Sequence, residues 1–143
     1  MTMNVEIRKE LVGVLKDLKD TTKQLETELL FTNGTGEFIY AVDIETDRII
    51  FMNKTMQKEF GDKVGELCYV ALQNFHEHCK FCTNGIITQN VGVAHKWIHY
   101  NKTVGKYFFI IDVCKIYNDR QVRIEKAYEI TEDVINQAVN LKG

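Results

Sequence analysis

The sequence predicts an α+β domain: a five-stranded antiparallel sheet with short helices on one face, preceded by a long amphipathic N-terminal helix and followed by a C-terminal exit helix. Three observations predict it. The hydrophobic period changes from heptad-like to strand-like at Asn33-Gly34-Thr35-Gly36. The strand-like runs are joined mainly by short segments rich in turn residues, which makes hairpins and therefore antiparallel neighbours. The chain has 143 residues, 45% of them hydrophobic, enough for one domain burying roughly 68–70% of its unfolded surface.

Each element has its own signal. From Met3 to about Leu30 the apolar residues Ile7, Leu11, Val14, Leu18 and Leu25 follow a 4-3-4-7 spacing, with Thr21 where the seam would carry another apolar side chain. Glu6, Arg8, Lys9, Glu10, Lys16, Asp17, Lys19 and Asp20 occupy the remaining faces. This pattern suits a helix pair between two subunits, or a single amphipathic helix lying on its own domain. Gly and Asn accept the left-handed conformation that ends such a helix, so Asn33 to Gly36 stop it. Residues 38–43 and 48–52 are β-branched and aromatic runs separated by Ile44-Glu45-Thr46-Asp47, a hairpin. Beyond Asn53, Met56, Phe60 and Val64 recur at helical spacing, with Gly61 and Gly65 as punctuation. The segment from Cys68 to Asn84 is irregular, and Asn84 to Gln89 reads as a short helix. His95 to Asn101, Tyr107 to Tyr117 and Gln121 to Thr131 read as three strands joined by Lys102-Thr103-Val104-Gly105 and Asn118-Asp119-Arg120. Asn and Asp tolerate positive φ, so the second turn closes without Gly or Pro. Glu132 to Leu141 is helical again, with Val134, Ile135, Ala138 and Val139 on one side and Thr131 placed to cap it.

Composition narrows the function. Lys plus Arg number 18 and Asp plus Glu 20, a net charge of −2, which argues against nucleic acid as the main partner. No apolar run reaches the roughly 18–20 residues of a membrane span, and Met1 to Glu10 lacks the apolar core of a signal peptide, so a cytoplasmic location is expected. The chain has four cysteines and no proline. In a cytosolic chain of this size four cysteines are not a disulfide framework; metal binding, redox chemistry or plain burial remain. Gly-x-Ser-x-Gly, a phosphate loop and paired catalytic carboxylates are all missing from the sequence, so the chain itself is not expected to be an enzyme.

Over residues 31–133 the chain resembles a PAS domain. Tyr40-Ala41-Val42-Asp43, a turn, and Ile49-Ile50-Phe51-Met52-Asn53 follow that family's opening pattern, and Ala127-Tyr128-Glu129-Ile130-Thr131 is similar to its closing Asp-Ile-Thr. A cysteine-bearing subgroup, found in bacterial sensor histidine kinases and diguanylate cyclases, is resembled more specifically. The matching residues are Cys68-Tyr69, Cys79-Lys80-Phe81-Cys82-Thr83-Asn84, Trp97 with Asn101, and Arg120, Val122, Arg123, Glu125 and Ala127. Departures are His78 where the subgroup has Pro, Asp119 where it has Gly, and Glu129 where it has Asp. The resemblance implies a PAS domain at 32–131, a dimerising or linking helix at 1–31 and a signalling helix or linker at 132–143. It also implies a sensory module with an effector that follows it, so the chain reads as an input segment.

Cys79-x-x-Cys82 puts two sulfurs within one turn, the spacing that grips Zn²⁺ or an iron–sulfur cluster, and Cys68 supplies a third thiolate. His76, His78 or His95 would complete the set, with Cys114 as an outlying alternative. The same pair also suits a thiol–disulfide switch, and all three cysteines also suit burial as small hydrophobes. His95, Trp97 and His99 share one sheet face by the two-residue period, as an exposed or dimer-facing surface or as a pocket wall for a flat or anionic ligand or a haem. Asn53 closes the first hairpin and is a further pocket candidate. Arg123 and Glu125 share a face of the last strand, Asp112 is a partner for Arg123, and with Thr131 they form a candidate route from sheet to exit helix. The function expected is sensing of a small ligand, metal or redox state and relay through the flanking helices of a homodimer to a kinase or diguanylate cyclase. A thiol oxidoreductase or a Zn-stabilised interaction module on Cys79 and Cys82 is the alternative.

Overall fold

The computed structural model describes residues 5–29, 36–133 and 136. Its elements are α1 (Val5–Leu29), β1 (Phe38–Asp43), β2 (Arg48–Met52), α2 (Lys54–Phe60), α3 (Cys68–Gln73), α4 (Asn84–Ile87), β3 (His95–Asn101), β4 (Lys106–Tyr117) and β5 (Arg120–Ile130). The five strands form one sheet in the order β2-β1-β5-β4-β3, antiparallel throughout. Hairpin turns make three of the four pairings. The fourth, β1 against β5, brings the two ends of the sheet domain together, from Phe38 opposite Ala127 to Asp43 opposite Val122.

Turn chemistry sets the hairpins as the sequence predicts. Asn118 and Asp119 both adopt positive φ, 50° and 62°, the conformation that matches the twist of a two-residue hairpin. One predicted helix is shorter than its spacing suggests. Gly61, at φ 81°, ends α2 with its N–H bonded to the Gln57 carbonyl, and Val64 lies beyond it, exposed.

Both faces of the sheet are covered in part. On one, Leu25 and Leu29 of α1 pack with Ile39, Ala41, Ile50, Phe51, Tyr117, Val122 and Ile124. Thr21 is buried there too and accepts a hydrogen bond from Asn118 Nδ2 at 3.1 Å, while Tyr117 donates to Glu28 at 2.8 Å. The last turns of α1 therefore lie on their own domain, and Leu25, expected in a subunit seam, is used within the chain. For the other seam residues, Ile7, Leu11, Val14 and Leu18, the structure describes the helical backbone and not the side chains, and nearly all of the expected exit helix with Val134, Ile135, Ala138 and Val139 lies outside the described residues. On the opposite face, Tyr40, Val42, Ile49 and Met52 pack with Met56, Cys68 and Leu72 of α2 and α3. No described helix is long and apolar enough to cross a membrane.

Candidate functional site

The site lies between the second sheet face and the segment from α2 to α4. Strand register decides which side chains meet there, because residues paired across an antiparallel sheet point to the same side. One row crosses all five strands: Met52, Tyr40, Glu125, Asp112 and His95. The next holds Ile49, Val42, Arg123 and Cys114, and the row on the other side holds Phe38, Ala127, Ile110 and Trp97.

These rows floor a cavity of about 60 Å³. Phe38, Tyr40, Phe108, Ile110, Arg123, Glu125 and Ala127 form its floor, Trp97, His99 and Asn101 of β3 one wall, and Met56, Phe60, Cys68, Tyr69, Leu72 and Gln73 another. The irregular stretch after α3 contributes His78, Cys79, Phe81, Cys82 and Thr83. Phe81 stacks 4.5 Å from the His99 ring and 5.9 Å from Trp97, closing that side with aromatic surface.

Two charged groups are buried beneath the cavity. Asp112 is fully buried, and its Oδ2 accepts from Trp97 Nε1 and from Thr83 Oγ1, each at 2.8 Å. Its Oδ1 has no ordinary donor. Glu125, directly opposite, is pushed well above the usual carboxylate range, first by burial and then by the Asp112 carboxylate and a hydrogen bond to it. A protonated Glu125 supplies the donor that Asp112 lacks, as two close carboxyls in a dry site require. Arg123 donates from Nη1 to Asn84 Oδ1 at 2.8 Å and to Cys82 Sγ at 3.5 Å, and from Nη2 to Tyr40 Oη at 3.5 Å. Its Nε is buried without a partner. Asp112, expected to pair with Arg123, faces Glu125 instead, because the β4–β5 register sets Cys114 opposite Arg123.

All four cysteines are free thiols. Cys68, Cys79 and Cys82 line the cavity, whereas Cys114 is buried in β4. Burial raises the Cys79 thiol to about 11, with Cys68 and Cys82 adding to it, and burial also raises Cys68. A raised thiol holds less of the thiolate that exchange chemistry uses. Among the described residues no group of three His, Cys, Asp or Glu side chains is placed to hold a metal ion.

The other expected site residues separate. His78 lies at the cavity edge, about half exposed, with Nε2 3.3 Å from Asp47 Oδ1. His76 sits in the exposed loop outside the cavity. Of the two readings of this strand face, exposed surface or pocket wall, Trp97 and His99 take the second and line the cavity, because the stretch from Phe75 to Thr83 folds over them. His95 is level with Asp112 but does not line the cavity. Asn53 is a structural cap: its Oδ1 accepts from Met56 and Ile39 N–H, and its Nδ2 donates to the Glu37 carbonyl. Thr131 follows β5, exposed, and the helix it was expected to cap is largely outside the described residues. Tyr40, Thr83 and Gln73 are not among the site residues expected from the sequence. Tyr40 and Thr83 fall within the motifs that carry the family resemblance, and Tyr40 lies two residues after Phe38 on β1.

No family model matches the chain, and no curated protein matches it. Solved structures do. The chain is similar to the PAS domain of an HTR-like protein from Haloarcula marismortui, with a TM-score of 0.50 and 16% identity, over 82% of this chain and 98% of that one. It is similar to the PAS domain of nitrogen regulation protein NR(II) from Vibrio parahaemolyticus, with a TM-score of 0.56 and 10% identity, over 74% and 98%. The PAS domain of BvgS from Bordetella pertussis matches with a TM-score of 0.50 and 17% identity, over 83% and 97%. Five antiparallel strands with a few short helices, in an arrangement similar to these three solved domains, give this chain the PAS fold.

Proposed function

We propose that this chain is a sensory module in which the cavity receives a small ligand and the flanking segments carry the response to an effector, a histidine kinase or diguanylate cyclase. In this reading residues 32–131 sense, residues 1–31 link and dimerise, and residues 132–143 lead to the effector. The observation that carries it is a buried guanidinium, Arg123, with an unpartnered Nε, lining a cavity between sheet and helices. A buried charge with donors to spare costs free energy unless something answers it. Response would follow by population shift, as a ligand favouring one packing of α3, α4 and the loop between them biases the whole.

The test uses Ala127→Leu, which adds volume to the cavity floor. Hydrogen exchange is followed across the chain, with circular dichroism confirming the fold. Altered protection in residues 5–29 or 131–143 is expected. Changes confined to the cavity elements would overturn the relay.

A thiol-borne signal is the second reading, favoured by the three thiols that line the same cavity. Protein purified without air is expected, on that reading, to show stoichiometric zinc or iron, or fewer than four free thiols. Four free thiols and no metal would remove it.

A further inference from the structure

The donors of Arg123 are unevenly used. A guanidinium has five N–H groups. Asn84 and Cys82 take those of Nη1, Tyr40 takes one of Nη2 and the Cys68 thiol is a further hydrogen-bond partner, while Nε–H is left without one. None of these acceptors is a carboxylate. Among the described residues, Arg123 makes no ion pair with a carboxylate within 4.0 Å, although Glu125 and Asp112 lie in the adjoining row. Those two acids are turned to each other, with Asp112 also bonded to Trp97 and Thr83. The side chain is nine-tenths or more buried, at 5% exposure, so water does not compensate it from outside.

Resting on the reading of the cavity as an input site, we propose that its ligand is a small planar oxyanion, a short-chain carboxylate or an inorganic counterpart such as nitrate, held by the Arg123 guanidinium. The geometry of guanidinium recognition favours a Y-shaped oxyanion that accepts two parallel N–H bonds. Size agrees with this. A cavity of about 60 Å³ is far below the roughly 300 Å³ at which drug-sized ligand sites begin. The protonated Glu125 adds a neutral wall and no competing negative charge, and Phe38, Ile110 and Ala127 accommodate a short alkyl group.

The experiment is a titration of the whole ¹⁵N-labelled chain with sodium acetate, sodium nitrate, sodium chloride and acetamide at constant ionic strength, followed by NMR. Saturable shifts are expected at the amides of Tyr40, Thr83, Asn84 and Arg123 and at an arginine Nε–H, with acetate, nitrate or both, and not with chloride or acetamide. Acetate alone identifies a short carboxylate, and nitrate alone an inorganic oxyanion. Arg123→Lys keeps the charge and loses the fork, and is expected to weaken binding by about tenfold or more. Acetamide binding as well as acetate does, or no saturable shift with either anion, would overturn the proposal. If Arg123→Lys does not fold, the acetate against acetamide comparison decides alone. Acetamide binding without anion binding defeats this inference and spares the input-site reading; anion binding with unchanged protection in the flanking segments of Ala127→Leu does the reverse.

Discussion

Glu125 and Asp112 stand opposite each other on β5 and β4, both buried. Glu125 is held well above its ordinary 4.5, by burial first and then by Asp112. For a carboxyl with a raised folded value, the native state binds more protons than the unfolded one between the two values, so stability falls as pH rises through that window. Below about 4.5 the penalty is absent; above the folded value it is complete. Glu125→Gln, which is neutral at every pH, is therefore expected to flatten the pH dependence of the urea midpoint above pH 4.5. An unchanged slope would show that Glu125 does not hold the proton. Neither the pairing nor the proton was legible in the sequence, because two carboxylates 13 positions apart meet only through the β4–β5 register. Arg123 and Glu125 were legible as one polar face, since the two-residue period of a strand needs no partner to define it.

At the scale of elements, local chemistry carried most of the prediction. The strands at 38–43, 48–52 and 95–101 begin and end where their hydrophobic runs do, and the Asn118-Asp119 turn takes the positive φ its residue types allow. The stretch from Cys68 to Asn84 was illegible because its apolar residues have no sustained period. A six-residue helix, α3, is followed by a loop whose shape is set by what it covers. The ends of elements are tied by polar contacts that no local pattern announces. Arg120, at the start of β5, donates from Nε and Nη2 to both carboxylate oxygens of Asp43 at 2.9 and 2.8 Å, and Asp43 also accepts from the Thr46 hydroxyl at 2.6 Å. This buried pair fastens the β1–β2 turn to β5. Arg120→Met leaves Asp43 buried and unpaired and is expected to cost about 3–5 kcal/mol, read by chemical denaturation. A loss below about 1 kcal/mol would show that water reaches the carboxylate.

Across the whole molecule, the sheet is a shared wall between two packed layers. Leu25, fully buried, joins α1 to the face opposite the cavity. Leu25→Ala is expected to cost about 2–5 kcal/mol in global stability through lost transfer free energy and the void left behind. A smaller loss would mean that α1 rests on the sheet without stabilising it. The same contact links the flanking helix to Val122 and Ile124, which alternate with Arg123 and Glu125 along β5. A shift of that strand is thus felt on both faces.

By itself the sequence determined the five strands, their hairpins and the antiparallel class, because period and turn preference are local properties, while the family resemblance drew Cys79, Cys82, Trp97 and Arg123 together. Only the tertiary structure decided that β1 pairs with β5, that Asp112 stands opposite Glu125 and not Arg123, that Asn53 caps a helix, and that burial raises the Cys68 and Cys79 thiols. Each of those depends on which segments meet, and burial then sets what a charge or a thiol does once it is there.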